Sequence, residues 1–158
     1  GEPLLQPDAA DFLRKVRELG FAVKLDTNGC DPARLAEILN QGLVDYVAMD
    51  VKNSPERYPE TVGVPGLDLT PVRDSVAWLL EGHVEYEFRT TAVRQLHDAA
   101  SFQAIGRWLQ GARRYYIQNF VDRDTVLRAG LSGFEKAELE AFASLVRPFV
   151  ERVEVRGV

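Results

Sequence analysis

Apolar positions along the 158-residue chain fall by turns into helical and extended spacings. Phe12, Val16 and Leu19 stand at i, i+4 and i+7 after Asp8, and Gly20 closes that run as a helix C-cap does. Residues 21–26 then read as a buried strand. Asp31-Pro32 is an N-cap followed by proline at the first helical position; Leu35, Ile38 and Leu39 give that helix its buried stripe, and Gly42 stops it. Residues 44–51 form a second strand. They lead into an irregular stretch, 53–68, that carries Pro55, Pro59 and Pro65 and is too long for an ordinary connection. It reads as a functional loop or a short irregular helix over the strand ends.

The second half repeats the alternation. Thr70-Pro71 carries a cap signature, with Val72, Val76, Leu79 and Leu80 on the helix and Gly82 at its end. Residues 84–91 alternate with period two, as a strand with one wetter face does. Asp98 caps a helix bearing Phe102, Ile105, Trp108 and Leu109, and residues 113–120 make a fourth strand. Gly130 to Gly133 is a turn. Ser132 with Glu135 offers a capping box for a helix through Leu139, Phe142, Leu145 and Val146, and 152–156 is a last strand. Helix and strand thus alternate through five strands, which predicts an α/β protein with a parallel sheet and covering helices in one domain, 1–158. Five strands are too few for a closed eight-stranded barrel, so an open or partial (βα) barrel and a doubly wound sheet both satisfy the pattern.

Composition narrows the class of function. A hydrophobic share of 46% supports a core without staples, and a net charge of -5 argues against broad binding to nucleic acid or to an anionic membrane. The single cysteine, Cys30, excludes an internal disulfide and fits a reducing, cytoplasmic setting. No apolar run approaches the roughly 20 residues of a membrane span.

Candidate chemistry gathers at two strand ends, Leu25-Asp26-Thr27-Asn28-Gly29 and Ala48-Met49-Asp50-Val51-Lys52. Parallel strands collect ligand-binding groups at their carboxyl ends, where loops converge over a rigid floor. Two acids and a lysine there suggest a site, while loop-capping aspartates would leave the same trace.

Gly1-Glu2-Pro3, then Asp26-Thr27-Asn28-Gly29, then Asp50-x-Lys52, in that order at successive βα units, resembles the radical S-adenosylmethionine enzymes. Within them the chain looks most like the glycyl-radical-enzyme activases that serve the anaerobic ribonucleoside-triphosphate reductase. The ordered motifs run from Gly1 to about Leu127. The resemblance implies a partial (βα) barrel of about five parallel strands, open at the side where the first strands are missing. It implies S-adenosylmethionine as cofactor and, in the full-length parent, a [4Fe-4S] cluster. The implied reaction is hydrogen abstraction from a glycine of a partner enzyme through a 5′-deoxyadenosyl radical, with flavodoxin or ferredoxin as electron donor.

Residue by residue, the resemblance gives Gly1 and Glu2 to the ammonium of the ligand's methionine part. It gives Asp26 and Asp50 to a monovalent cation beside the ligand's carboxylate, with Asn28 and Lys52 close by. Arg89 matches a segment facing the substrate side, where an exposed strand arginine is the plainer reading. Gln118 and Asn119 face adenine or ribose, or are satisfied within the sheet. His97 lies near the site or is a solvated loop histidine. The family's C-x-x-x-C-x-x-C is absent, and Cys30 alone cannot replace three cluster thiolates. The chain therefore reads as the C-terminal portion of an activase, expected neither to build a cluster nor to catalyse by itself. A pyruvate formate-lyase activase, a small-molecule radical enzyme and a non-catalytic βα ligand-binding domain are the alternatives.

Overall fold

The computed structural model describes residues 1–122 and 129–158; Leu127, where the ordered motifs end, lies outside them. Five strands, β1 (Lys24–Thr27), β2 (Tyr46–Asp50), β3 (Glu85–Ala92), β4 (Arg114–Asn119) and β5 (Arg152–Arg156), form one sheet in that order. The registers of β1 with β2, β3 with β4 and β4 with β5 are all parallel. Strands laid down in sequence order follow a barrel wall, whereas a doubly wound sheet reverses at a switch point. The sheet is the open, partial barrel that the resemblance implied. α1 (Ala9–Glu18) precedes β1, and between the strands lie α2 (Pro32–Asn40), α3 (Tyr58–Val62), α4 (Thr70–Leu80), α5 (Ala99–Trp108) and α6 (Lys136–Val146). No helix among the described residues is long and apolar enough to cross a membrane. The chain falls into two compact units, Gly1–Asp50 with Asp68–Glu87, and Val51–Leu67 with Phe88–Val158.

In the first unit, α1 has the expected period but a different phase. Ala9 and Leu13 are buried and Val16 half-buried, at i, i+4 and i+7, while Phe12 and Leu19 are 64% and 74% exposed. The same spacing begun at Ala9 instead of Phe12, three residues earlier, turns the stripe by about 60°. The strand expected over 21–26 also starts later, at Lys24. Val23 is tied off beforehand: its N–H donates to Asp45 Oδ2 at 2.7 Å and its carbonyl accepts from the Asp45 and Tyr46 amides. That amide, with Arg17 second, holds the Asp45 carboxyl below the usual carboxylate range. Asp31 caps α2 as expected, accepting from Arg34 N at 2.9 Å. Leu35 and Ile38 are fully buried, each worth about 1.5–3 kcal/mol of transfer free energy. The N-cap position of α4 is Leu69, which makes no side-chain cap bond; Asp68, one residue earlier, accepts from Thr70 N, the first helical residue, through Oδ1 at 2.9 Å.

In the second unit, the part of the 53–68 stretch up to Leu67 contains a short helix, α3, and is fastened down over its first half. Tyr58 is buried edge-on against Trp108, 6.2 Å between ring centroids, and Arg57 Nη1 donates to Asp98 Oδ2 and Ser101 Oγ, both at 3.0 Å. Asp98 caps α5 as expected, accepting from Ser101 N at 2.8 Å. The capping box of α6 is made by Glu135 and Glu138. Ser132 is engaged elsewhere, by Gln95 Nε2 on its hydroxyl and Gln95 Oε1 on its amide, each at 3.0 Å.

Candidate functional site

The end of β1 is held by Glu2. Its Oε1 accepts from Leu4 N at 3.2 Å and from Thr27 Oγ1 at 2.6 Å, and its Oε2 accepts from Asn28 N at 2.7 Å. A carboxylate offers about four lone-pair sites, so three chain donors leave room for one cationic donor more. The turn then folds on itself. Thr27 Oγ1 accepts from Gly29 N at 3.1 Å, and Asn28 Oδ1 accepts from Cys30 N at 2.9 Å as an Asx turn. Gly29 sits at φ +71°, and a Cβ there would lie 2.1 Å from Met49 Cε; its carbonyl accepts from buried Ser75 Oγ at 2.8 Å. Only glycine fits this close approach with a left-handed backbone.

Alternation along β1 and β2 places Lys24 and Asp26 on one face and the buried Leu25 and Thr27 on the other, with Asp26 in register with Ala48 and Asp50 one pleat further on. Asp26 and Asp50 therefore share a face. Gly1 and Asp26 both line a cleft of ≈ 470 Å³ whose walls also include Leu4, Phe12 and Lys24. That is the size range of small-molecule sites.

Two groups on this face escaped the sequence reading. Lys24 Nζ lies 3.4 Å from Asp26 Oδ1 and 3.8 Å from Glu87 Oε1, and Tyr46 OH donates to Glu87 Oε2 at 2.9 Å. Glu87 is only 4% exposed. The period-two alternation of 84–91 carried the signal, since it puts Glu87 on one face with Glu85 and Arg89.

The second unit holds the other expected residues. Arg89 is in register with Tyr116 and Thr91 with Gln118, so Arg89 and Gln118 share a face as diagonal neighbours. Asn119 points elsewhere. Its Oδ1 accepts from Phe134 N and its Nδ2 donates to Phe134 O, both at 2.9 Å, a clamp that ties the amide to the Phe134 backbone. His97 is buried, not solvated. Its Nε2 donates to the Lys52 carbonyl at 2.9 Å, which leaves Nδ1 to accept from Val93 N at 3.1 Å, the arrangement of a neutral ring. Burial accordingly pushes its pKa below the ordinary histidine value. Lys52 itself is half-buried. Cys30 is partly buried, and burial followed by the charge of Glu2 pushes its thiol up, opposite to what a metal-binding thiolate needs. Among the described residues no three His, Cys, Asp or Glu side chains gather as a metal site. With one cysteine in the sequence, the chain cannot supply the several thiolates that an iron-sulfur cluster needs, whereas the acceptor oxygens of Glu2 fit the ammonium end of an amino acid.

No family model matches the chain. Solved structures define its class of fold. The chain superposes on a domain of pyruvate-formate lyase-activating enzyme from Bacteroides vulgatus with a TM-score of 0.78 at 13% identity, covering 99% of this chain and 95% of that one. It superposes on a radical SAM methyltransferase from Sphaerobacter thermophilus with a TM-score of 0.73 at 15% identity, over 99% of this chain and 49% of that one. This is the parallel α/β fold of radical S-adenosylmethionine proteins. Sequence takes the assignment further: the chain is 30% identical over 165 aligned positions to a Methanocaldococcus jannaschii protein named for glycyl-radical enzyme activation, covering 100% of this chain and 68% of the relative. The chain belongs to the glycyl-radical enzyme activating enzymes.

Proposed function

We propose that the chain holds the methionine end of S-adenosylmethionine at the strand ends of its first unit, as part of an activase for a glycyl radical enzyme of the anaerobic ribonucleotide reductase type. The observation that carries the reading is the Glu2 carboxylate, fixed by Leu4, Thr27 and Asn28 with one acceptor position to spare. An α-ammonium is a donor with no acceptor of its own and suits that position. Gly1, beside Glu2, leaves the ligand's approach clear of a side chain. Asp26, Asn28 and Asp50 line the same strand ends and orient the bound amino acid. The second unit, taken by itself, carries Lys52 and Arg89, whose charges suit carboxylates, and Gln118, whose amide suits a base or ribose edge.

When bound, the cluster and S-adenosylmethionine supply the electron and the carbon radical that takes a glycine hydrogen. The thiolates for that cluster come from outside these residues. What this chain contributes is orientation, charge and exclusion of water. Flavodoxin or ferredoxin is the fitting electron donor, and a reducing cytoplasm the fitting compartment.

The test uses the longest natural polypeptide containing these residues, reconstituted anaerobically with iron and sulfide, reduced, and assayed for 5′-deoxyadenosine. Product should form and fall about 100-fold in Glu2→Ala and Asp50→Ala, the cost of a ligand mispositioned by an ångström. No product from the extended chain would overturn the reading. A glycyl radical signal on pyruvate formate-lyase, and none on an anaerobic ribonucleotide reductase, would reassign the partner.

A further inference from the structure

We infer that Lys24 is the built-in counter-cation of Asp26, and that this chain therefore takes no monovalent metal ion at the Asp26 carboxylate. The inference rests on the proposed reading in one respect only, that Asp26 belongs to the ligand site. The expectation drawn from the sequence was a hard cation held by Asp26 and Asp50. The donor set does not fit it. Asp26 Oδ1 already faces an ammonium of the chain itself, Lys24 Nζ at 3.4 Å. A metal ion on that oxygen would sit beside a fixed like charge, and like charges disfavour one another at such range.

Lys24 is placed there by more than Asp26. Its strand position is in register with Tyr46, and its ammonium lies 6.0 Å from the Tyr46 ring centroid. Behind it stands Glu87, a carboxylate only 4% exposed, 3.8 Å from Nζ and accepting the Tyr46 hydroxyl. A buried carboxylate needs a nearby cation and hydrogen-bond donors. Glu87 thus anchors the lysine from the buried side, and the outer side of the ammonium meets Asp26. Both Lys24 and Asp26 remain about half exposed, 47% and 57% for their side chains, so the pair adds little to stability. Its consequence is electrostatic: the charge at the strand end is balanced before any ligand arrives. Lys24 is a positioning residue, fixing the Asp26 carboxylate and not reacting.

The experiment measures sodium-ion binding to this chain by the line width of the sodium NMR signal, with tetramethylammonium as the competing salt that cannot coordinate. Wild type should broaden the signal no more than Asp26→Asn does. Lys24→Met should gain broadening, and Lys24→Met/Asp26→Asn should lose it again. Lys24→Arg, which keeps a cation in place, should stay silent like wild type. Where Lys24→Met fails to fold, Lys24→Gln tests the same point with a polar side chain of similar length. Broadening by wild type that disappears in Asp26→Asn would overturn the inference, as would a folded Lys24→Met or Lys24→Gln that gains none. Binding of S-adenosylmethionine is scored separately. Its absence alongside the expected sodium pattern would remove the ligand reading and leave the assignment of Lys24 standing.

Discussion

Replacing Gly29 by alanine tests how tightly the turn after β1 is built. The substitution adds one methyl group at two costs. A left-handed backbone, φ +71° here, disfavours any Cβ by about 1–2 kcal/mol. The new Cβ would also lie 2.1 Å from Met49 Cε and 2.9 Å from Sδ, with Ser75 Cβ at 3.2 Å. The end of a methionine is flexible, but Met49 is fully buried, so its displacement is an overpacking event of about 1–3 kcal/mol. Together Gly29→Ala should lose roughly 2–5 kcal/mol, a large share of a domain's typical stability of about 5–15 kcal/mol. Its melting temperature should fall roughly 4–20 °C, at about 2–4 °C per kcal/mol for a chain of this size. Urea unfolding of four proteins, wild type, Gly29→Ala, Met49→Ala and the double variant, separates the two costs. With Met49 truncated the clash is gone, and Gly29→Ala should cost only the backbone share of about 1–2 kcal/mol. A loss below about 0.5 kcal/mol in the wild-type background, or the same loss in both backgrounds, would refute the close approach.

Three further outcomes follow from the same geometry. Glu2→Ala removes the acceptor of three donors, one of them the hydroxyl of Thr27, which is 3% exposed, and should cost about 2–4 kcal/mol in chemical denaturation. His97 is held neutral, so the unfolded chain binds the extra proton first as pH falls through the ordinary histidine value. Stability should be full above that value and decline below it, and His97→Gln should flatten the slope between neutral and mildly acid pH; an unchanged slope would remove His97 as its source. Asn119→Ala leaves the amide and carbonyl of Phe134 without their clamp and should cost about 1–3 kcal/mol, whereas Gln118→Ala, on the other face, should leave unfolding nearly unchanged.

Elements and caps signalled by short-range chemistry were legible in the sequence. Asp31 and Asp98 stand where their side chains reach an amide three residues on, and both do so. The phase of α1 was not legible, because Ala9-Leu13-Val16 and Phe12-Val16-Leu19 satisfy one helical period equally and only tertiary packing chooses between them. Ser132 failed as a cap for a related reason: its spacing to Glu135 was right, but Gln95, remote in sequence, had claimed its hydroxyl and its amide. Asp26 and Asp50 were singled out from strand-end position, and the register of β1 with β2 puts them on one face. Lys24 and Glu87 were missed because a charged residue inside a strand pattern reads as solvent-facing until register with a neighbouring strand shows what it meets.

The bond from His97 to the Lys52 carbonyl has a neighbour running the opposite way. Asn53 Nδ2 donates to the Leu96 carbonyl at 2.9 Å and to Thr61 Oγ1 at 2.8 Å, while Asn53 Oδ1 accepts from Ser54 N. The segments following β2 and β3 are therefore laced by reciprocal stitches, each from a fully or nearly fully buried side chain to the other segment's backbone. Neither can lift away while the other stays. In deuterium exchange, the amides around Ser54 and those around His97 should take up label together, as one cooperative opening. A protease that cut the exposed 62–66 stretch would leave Asn53 still fastened, nicking the loop without releasing it.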